Sequence, residues 1–135
     1  MTVSYQSNRQ ELIVAHVEFE YSDLTSGTAF NAIKLPENAV LVDGTYWVVT
    51  AFNSGTSDAA VLAFNSLTLV TDADAQAAVR TAFTMPTTSN PSNVRVTTPT
   101  WITYTWTAVG TAATAGKVRI EARYYVEGRA AFSQD

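Results

Sequence analysis

The chain has 135 residues, of which 47% are hydrophobic and only 15% are charged, and its formal net charge at pH 7 is −4. Disorder needs the reverse balance, so this composition predicts one folded domain with much neutral surface. The acidic balance argues against non-specific nucleic-acid binding, which needs a basic face, and the lack of cysteine excludes disulfides, thiolate metal sites and cysteine nucleophiles.

Residues 1–11 are predicted to form a polar N-terminal arm, because Thr2 to Gln10 show no core pattern of their own. The opening also lacks the apolar core of a signal peptide. No stretch of the chain approaches the roughly 20 apolar residues of a membrane helix. We therefore expect synthesis in a cytoplasm and no membrane partner.

Residues 12–128 are predicted to form a single β domain, followed by a polar tail at 129–135. From Leu12 onward the apolar residues recur with a period of two, which indicates a half-buried strand. Its apolar face consists of Ile13, Ala15, Val17, Phe19 and Tyr21. A turn then leads to a strand at 28–35, which Pro36 must end or place at the edge of a sheet.

Two apolar runs, 39–42 and 45–52, are separated by Asp43 and Gly44. An Asp-Gly pair in this position predicts a tight hairpin, because both residues tolerate positive φ. The second run is apolar on both faces, which predicts a central strand covered on both sides. A single strand is expected over 59–69.

One short helix is predicted near residues 72–83. Thr71 is a suitable N-cap, and Asp72 and Asp74 would lie near the positive end of the helix dipole. The residues that follow are good helix formers. The segment 84–93, with its proline, threonine and serine residues, is predicted to be a loop.

The last third of the chain returns to β patterns at 94–96 and 100–107, with Ile102, Tyr104 and Trp106 on one face. A final amphipathic strand has the clearest alternation in the chain, and its core face is predicted to consist of Val118, Ile120, Ala122, Tyr124 and Val126. Seven or eight strands in this arrangement favour an all-β fold, an antiparallel two-sheet sandwich of the jelly-roll kind.

The exterior is expected to be solvated and poor in net charge. On the last strand, Lys117, Arg119 and Arg123 alternate with Glu121 and approach Glu127, so that face is predicted to be roughly neutral. Elsewhere the surface is rich in Thr, Ser, Ala and Asn, which are cheap to desolvate because few ions must lose their hydration. Such a surface suits a soluble exterior or a domain packed against copies of itself or a partner.

No catalytic, cofactor-binding or metal-binding residue is assigned, and no enzyme activity is expected. His16 is the only histidine and could act as a general base, but no nucleophile or orienting group accompanies it. Glu18 and Glu20 share a strand face, as glycosidase carboxylates can, although solvent-facing strands commonly carry such pairs. Asp72 and Asp74 could bind a hard cation, yet the spacing of an EF-hand fails after the second residue, and helix capping explains both.

Aromatic side chains provide the one further candidate site, a sugar-stacking platform. Trp47 and Trp101 each lie opposite an apolar strand face, which predicts that one of them is exposed or at an interface. The residues that could contribute are Trp47, Trp101, Trp106, Tyr5, Tyr46 and Tyr125. Packing in the core or between subunits is the alternative interpretation of the same residues.

A resemblance to a known family covers residues 30–58, which run FNAIKLPENAVLVDG and, after Thr45, YWVVTAFNSGTSD. This segment resembles the head decoration, or cement, proteins of tailed bacteriophages, which have jelly-roll-like β-sandwich folds; residues 119–128 fit the same pattern more loosely. The resemblance implies a virion protein on the capsid exterior, an oligomer, often a trimer, that binds the major capsid protein and carries no catalytic residues. The alternative function is a carbohydrate-binding β-sandwich module, free or tail-associated, and the residue inventory disfavours a small hydrolase.

Overall fold

The structure of the protein, a computed structural model, describes residues 11–86 and 94–127. In these residues the regular structure consists of eight strands and one short 3-10 turn. In chain order the elements are β1 (Ile13–Glu20), the 3-10 turn (Tyr21–Asp23), β2 (Ala29–Leu35), β3 (Ala39–Thr50), β4 (Ser57–Phe64), β5 (Leu67–Asp74), β6 (Arg80–Ala82), β7 (Thr100–Val109) and β8 (Lys117–Val126). The predicted arm, apart from Glu11, and the predicted tail lie outside the described residues.

The strands form two antiparallel four-stranded sheets with the orders β1-β8-β3-β6 and β2-β7-β4-β5. Pairing is nested along the chain: β1 pairs with β8, β2 with β7, β3 with β6 and β4 with β5. This nesting alternates the pairs between two sheets, which is the connectivity of a jelly roll. The predicted all-β sandwich is therefore confirmed.

The core lies between the two sheets and follows the period-two patterns of the sequence. Val118, Ile120 and Ala122 of β8 are fully buried, and Tyr124 and Val126 pack partly buried against the same cluster. The predicted core face of this strand is confirmed. On the facing sheet, Ile102, Tyr104 and Trp106 are buried as predicted.

The hairpin predicted at Asp43-Gly44 is wrong, because both residues lie inside the continuous strand β3. The register against β8 skips one residue between Leu41 and Asp43, which is a β-bulge rather than a turn. Gly44 serves close packing: a Cβ atom there would overlap the Phe83 ring and the backbone oxygen of Glu121. Sequence alone does not separate this use of glycine from its use in a turn.

A hairpin does occur at Asn65-Ser66, within the stretch predicted as one strand over 59–69. Both residues have positive φ, 47° and 68°, and they join β4 to β5. Two central residues with positive φ make a two-residue turn whose twist matches the flanking strands. Asn is one of the residues that most readily adopt this conformation.

The helix predicted near 72–83 is also wrong. Strand β5 continues to Asp74, with positive φ at Asp72 (44°), and β6 occupies part of the predicted helix. The Ala75 amide donates to the Asp58 carbonyl, and the Ala75 carbonyl accepts from the Phe52 amide, both at 2.9 Å. These bonds to other parts of the sandwich use the backbone groups that a helix would need, so tertiary pairing overrides helix propensity.

Two smaller predictions are also adjusted. Tyr21 begins the 3-10 turn instead of ending the first strand. The strand predicted at 94–96 is a single bridge between Arg95 and Val40, supported by backbone hydrogen bonds from Asn38 and Val96 across the same gap.

Candidate interaction surface

The outer face of the first sheet carries several charged side chains, most of them paired within the chain, beside the exposed Val14 and Val49. One row across the sheet contains Glu18, Arg119, Trp47 and Arg80, one residue from each of β1, β8, β3 and β6. Arg119 lies 3.6 Å from Glu18 and 2.7 Å from Glu121. The guanidinium of Arg80 lies 4.5 Å from the centre of the Trp47 ring, a cation–π geometry.

Two further ion pairs lie on this sheet. Lys117 lies 3.4 Å from Glu18, and the Arg123 guanidinium donates to the Asp43 carboxylate. The hydrogen bond from Arg119 lowers the pKa of Glu121, and Asp43 raises the pKa of Arg123. Paired charges of this kind are costly to remove from water. The β8 face is therefore the solvated, roughly neutral surface that the sequence predicts.

The outer face of the second sheet is different, because the outward side chains of its middle strands are all uncharged. Outward-facing positions alternate with buried ones along β4 and β7. In the two middle strands of this face, those positions are Ser57, Ala59, Val61 and Ala63 of β4, and Trp101, Thr103, Thr105, Thr107 and Val109 of β7. The neutral surface expected from the composition is thus concentrated on one sheet.

Charged residues of this second sheet occur at its edges or in its core. Lys34 lies on edge strand β2, and Asp72 and Asp74 lie on the opposite edge strand β5. The remaining charged residue of the four strands, Asp58, is 1% exposed and points into the core. The centre of the face can therefore be desolvated without removing an ion from water.

Two of the more exposed hydrophobic side chains lie on this face, Trp101 at 40% and Val109 at 50% exposure. The Lys34 ammonium lies 5.7 Å from the centre of the Trp101 ring. The prediction that Trp47 or Trp101 is exposed or at an interface is confirmed for Trp101. Trp47, in contrast, is half-buried under Arg80, while Val49 beside it on β3 is 40% exposed, so the predicted cover on both faces of that strand is complete only toward the core.

The candidate sugar platform is not assembled. Tyr46 and Trp106 are core residues, Trp47 and Tyr125 belong to the first sheet, and Trp101 belongs to the second. Tyr5 lies outside the described residues. Aromatic residues that alternate with polar ones along a strand look alike in sequence, whichever sheet they cover.

The titratable candidates are spread over two parts of the molecule. His16, Glu18 and Glu20 are exposed on β1, where His16 lies opposite Glu121 and Glu18 is held in ion pairs. Asp72 and Asp74 lie on the other sheet; Asp74 accepts the Gln76 amide at 2.9 Å and so caps a turn instead of a helix. Within residues 11–86 and 94–127, no group of three or more His, Cys, Asp or Glu side chains could hold a metal ion.

The sequence analysis did not predict a buried polar cluster around Asp58. Its carboxylate accepts four hydrogen bonds: from the Ser54 hydroxyl (2.6 Å), the Trp106 indole (2.7 Å), the Ser54 amide (2.9 Å) and the Gln76 side chain (2.9 Å). Gln76 also donates to the Ser54 carbonyl. The cluster ties the loop after β3 to β7 and to the segment after β5. A tryptophan in the core needs an acceptor for its N–H, which is the signal that could have indicated such a partner.

A second buried pair, Tyr46 and Tyr104, joins the two sheets. Their hydroxyl oxygens lie 2.9 Å apart. Burial raises the pKa of both phenols far above the usual value. Both phenols therefore stay protonated near neutral pH, and the pair serves as a cross-sheet hydrogen bond.

Comparison with known proteins identifies the fold. No protein-family model and no curated protein sequence matches the chain. The solved structures that it resembles include chains in three phage capsids. A chain of the Helicobacter pylori bacteriophage KHP30 acidic stable capsid structure matches with a TM-score of 0.59 and 16% identity, over 87% of this chain and 90% of that chain. A chain of the cyanophage Pam1 capsid asymmetric unit matches with a TM-score of 0.62 and 14% identity, over 93% of this chain and 92% of that chain. A chain of the Ralstonia phage GP4 capsid matches with a TM-score of 0.60 and 16% identity, over 96% of this chain and 93% of that chain.

These likenesses span nearly the whole of each chain, so they concern the complete sandwich and not a shared fragment. At 14–16% identity they establish the fold alone. The described residues contain no helix long and apolar enough to cross a membrane.

Proposed function

We propose that the protein is a phage decoration, or cement, protein that binds the outer surface of the capsid shell and stabilises it. It does so through self-association and through contacts to the major capsid protein. The observation that carries this proposal is the jelly roll shared, over about nine-tenths of both chains, with chains of three phage capsids. The resemblance of residues 30–58 to decoration proteins points the same way.

The surface chemistry supports a role in binding. A wide neutral sheet face such as that of β4 and β7 is suited to protein–protein contact, because the contact excludes water without burying unpaired charge. Each such contact can be weak, since many copies on one shell act together. The same proposal makes the protein a structural component without enzyme activity.

Residues 1–10 are proposed to take part in the capsid contact. They are polar, with Val3 and Tyr5 spaced by two, and could add main-chain hydrogen bonds at a strand edge of the shell. Fixing a residue in place costs about 1–2 kcal/mol of conformational entropy. A neighbouring subunit that holds the segment in place offsets this cost, which a lattice provides and an isolated domain does not.

Co-sedimentation tests the proposal. Shells assembled from the major capsid protein of the same phage are mixed with the purified protein at increasing concentration. We expect saturable binding, with weaker binding and an unchanged thermal midpoint when residues 1–10 are deleted. Binding of the truncated protein with unaltered affinity would show that residues 1–10 take no part in the capsid contact. A protein that ignores shells but binds sugars would favour the carbohydrate-binding alternative.

A further inference from the structure

The neutral face of the second sheet carries opposite charges at opposite corners. Lys34 lies on β2 in the row of Trp101, near one end of the sheet. Asp74 lies on β5 in the row of Ala59 and Thr107, near the other end. Between them the register places only neutral residues at outward positions, with Val61 paired to Thr105 near the midpoint. The centre of the face is therefore neutral, with Lys34 on the β2 edge near one end and two exposed carboxylates, Asp72 and Asp74, on the β5 edge, Asp74 at the diagonally opposite corner.

We propose that this face is the self-association surface, and that it packs against the same face of a second copy around a two-fold axis. The inference rests on the proposed function, because it names the surface through which the protein associates with itself. It commits to one occupant, a second copy of this chain.

The arrangement of charge favours a second copy. A two-fold axis lying in the interface, perpendicular to the line from Lys34 to Asp74, exchanges the two positions. Each Lys34 then faces the Asp74 of the other copy, and the contact is made twice, as an isologous interface requires. A surface with its two signs at opposite corners is thus complementary to itself.

The other broad face of the sandwich is a poorer surface for self-contact. A chain with a net charge of −4 repels its copies, so association is easiest where no like charges meet. Packing the first sheet against itself would bury or break the ion pairs of Glu18, Arg119, Arg123 and Asp43. Packing the second sheet leaves those ions in water.

The size of the face is compatible with a modest but specific contact. Four strands spaced by about 4.8 Å, each with about eight residues rising about 3.3 Å, cover roughly 500 Å² per copy. Two copies then bury about 1,000 Å², near the lower bound for a biological interface. Trp101 and Val109 provide its largest exposed apolar side chains. A contact of this size associates weakly in dilute solution and is reinforced where copies are held side by side on a shell.

Sedimentation velocity of the full chain tests the surface with a charge placed at its centre. Val61→Lys puts two ammonium groups near the two-fold axis, and we expect a weakening of self-association of about tenfold or more. The matched control is Thr45→Lys, which adds the same charge to the outward face of a central strand in the first sheet and should associate like the wild type. The thermal midpoint of each variant shows whether the fold is intact.

A charge swap tests the two-fold pairing itself. Lys34→Asp and Asp74→Lys should each weaken association, because like charges then meet twice per pair, and the double variant should recover most of it. Since Asp74 also accepts the Gln76 amide, the thermal midpoint of its variants is compared with that of Asp74→Asn. Two weak single variants without recovery in the double variant would overturn the pairing of Lys34 with Asp74.

The outcomes separate this inference from the proposed function. If Val61→Lys associates like the wild type, the surface assignment is wrong. If it loses binding to shells while self-association is unchanged, the face contacts the capsid and not a second copy; the inference then fails and the proposed function stands. A wild-type protein that stays monomeric at high concentration and ignores shells contradicts both.

Discussion

Replacing Asp58 with asparagine should destabilise the sandwich more than any other change of a single carboxyl oxygen. The side chain is 1% exposed and accepts hydrogen bonds from four donors on three segments. An amide has one oxygen and one NH₂ group, so it can serve at most one pair of those donors as an acceptor. The other pair must meet a donor.

The magnitude follows from the better of the two orientations. With the amide oxygen toward the Ser54 amide and Gln76, the NH₂ group can donate to the Ser54 hydroxyl, but the Trp106 indole loses its acceptor. An unsatisfied buried donor costs about 1–3 kcal/mol, and the other bonds lose the strengthening that a charged acceptor gives. Relief from burying a charge offsets part of this loss. We expect a net loss of about 2–4 kcal/mol, or about 10 °C in Tm for a domain of this size.

Urea and thermal unfolding at pH 7 measure this loss, with Glu37→Gln as the control at an exposed carboxylate. A second variant, Trp106→Phe, removes the indole N–H that is left without an acceptor in Asp58→Asn. The double variant Asp58→Asn/Trp106→Phe should lose less stability than the sum of the two single losses, because it contains no unsatisfied indole N–H. An Asp58→Asn midpoint equal to that of the wild type would refute the assignment of Asp58 as the centre of the cluster.

Three further predictions concern the core. Ile120→Ala should cost about 2–5 kcal/mol, since the side chain is fully buried; an unchanged urea midpoint would contradict the core assignment. Tyr46→Phe should destabilise the protein more than Tyr46→Phe/Tyr104→Phe, because only the single variant leaves a buried hydroxyl unpaired. Because the pKa of both phenols is raised in the folded state, the stability that they contribute is lost as pH rises above about 10. A wild type and a double variant with the same alkaline unfolding profile would argue against this pH dependence. Gly44→Ala should lower the thermal midpoint, since its methyl group meets the Phe83 ring and a backbone oxygen; a tolerated alanine would show that β3 and β8 separate easily there.

The sequence predicted those parts of the fold that depend on local alternation. β7 and β8 each bury one face and β1 half-buries one, and the period-two patterns identified core residues correctly, including Ile102 and Ile120. Such patterns are reliable because a strand with one buried face must alternate, whichever strand it pairs with.

The failures share one physical cause, which is that distant backbone groups decided local conformation. Asp43-Gly44 has the composition of a turn but lies opposite β8, where Arg123 pairs with the aspartate and close packing requires the glycine. The alanine-rich segment after Asp74 has helix propensity, yet its amides and carbonyls bond to Asp58 and Phe52. Propensity is worth tenths of a kcal/mol per residue, and unmade buried hydrogen bonds cost more.

The candidate surface could be predicted in kind but not in place. The low share of charged residues indicated a neutral exterior, but only the sheet order shows that β4 and β7 lie side by side and collect it on one face. The position of Lys34 and Asp74 at opposite corners depends on the same order. No spacing in the sequence relates two residues on opposite edges of a sheet.

Cryo-electron microscopy of shells with and without the protein tests the central claim most directly. A shell saturated with the 14.6 kDa chain should show added density on its outer surface, and the jelly roll should fit that density at defined lattice positions. Density in which two copies meet through their β2-β7-β4-β5 sheets would support the self-association surface as well. Shells that look identical with and without the protein, at concentrations where it is folded and in excess, would contradict the assignment as a decoration protein.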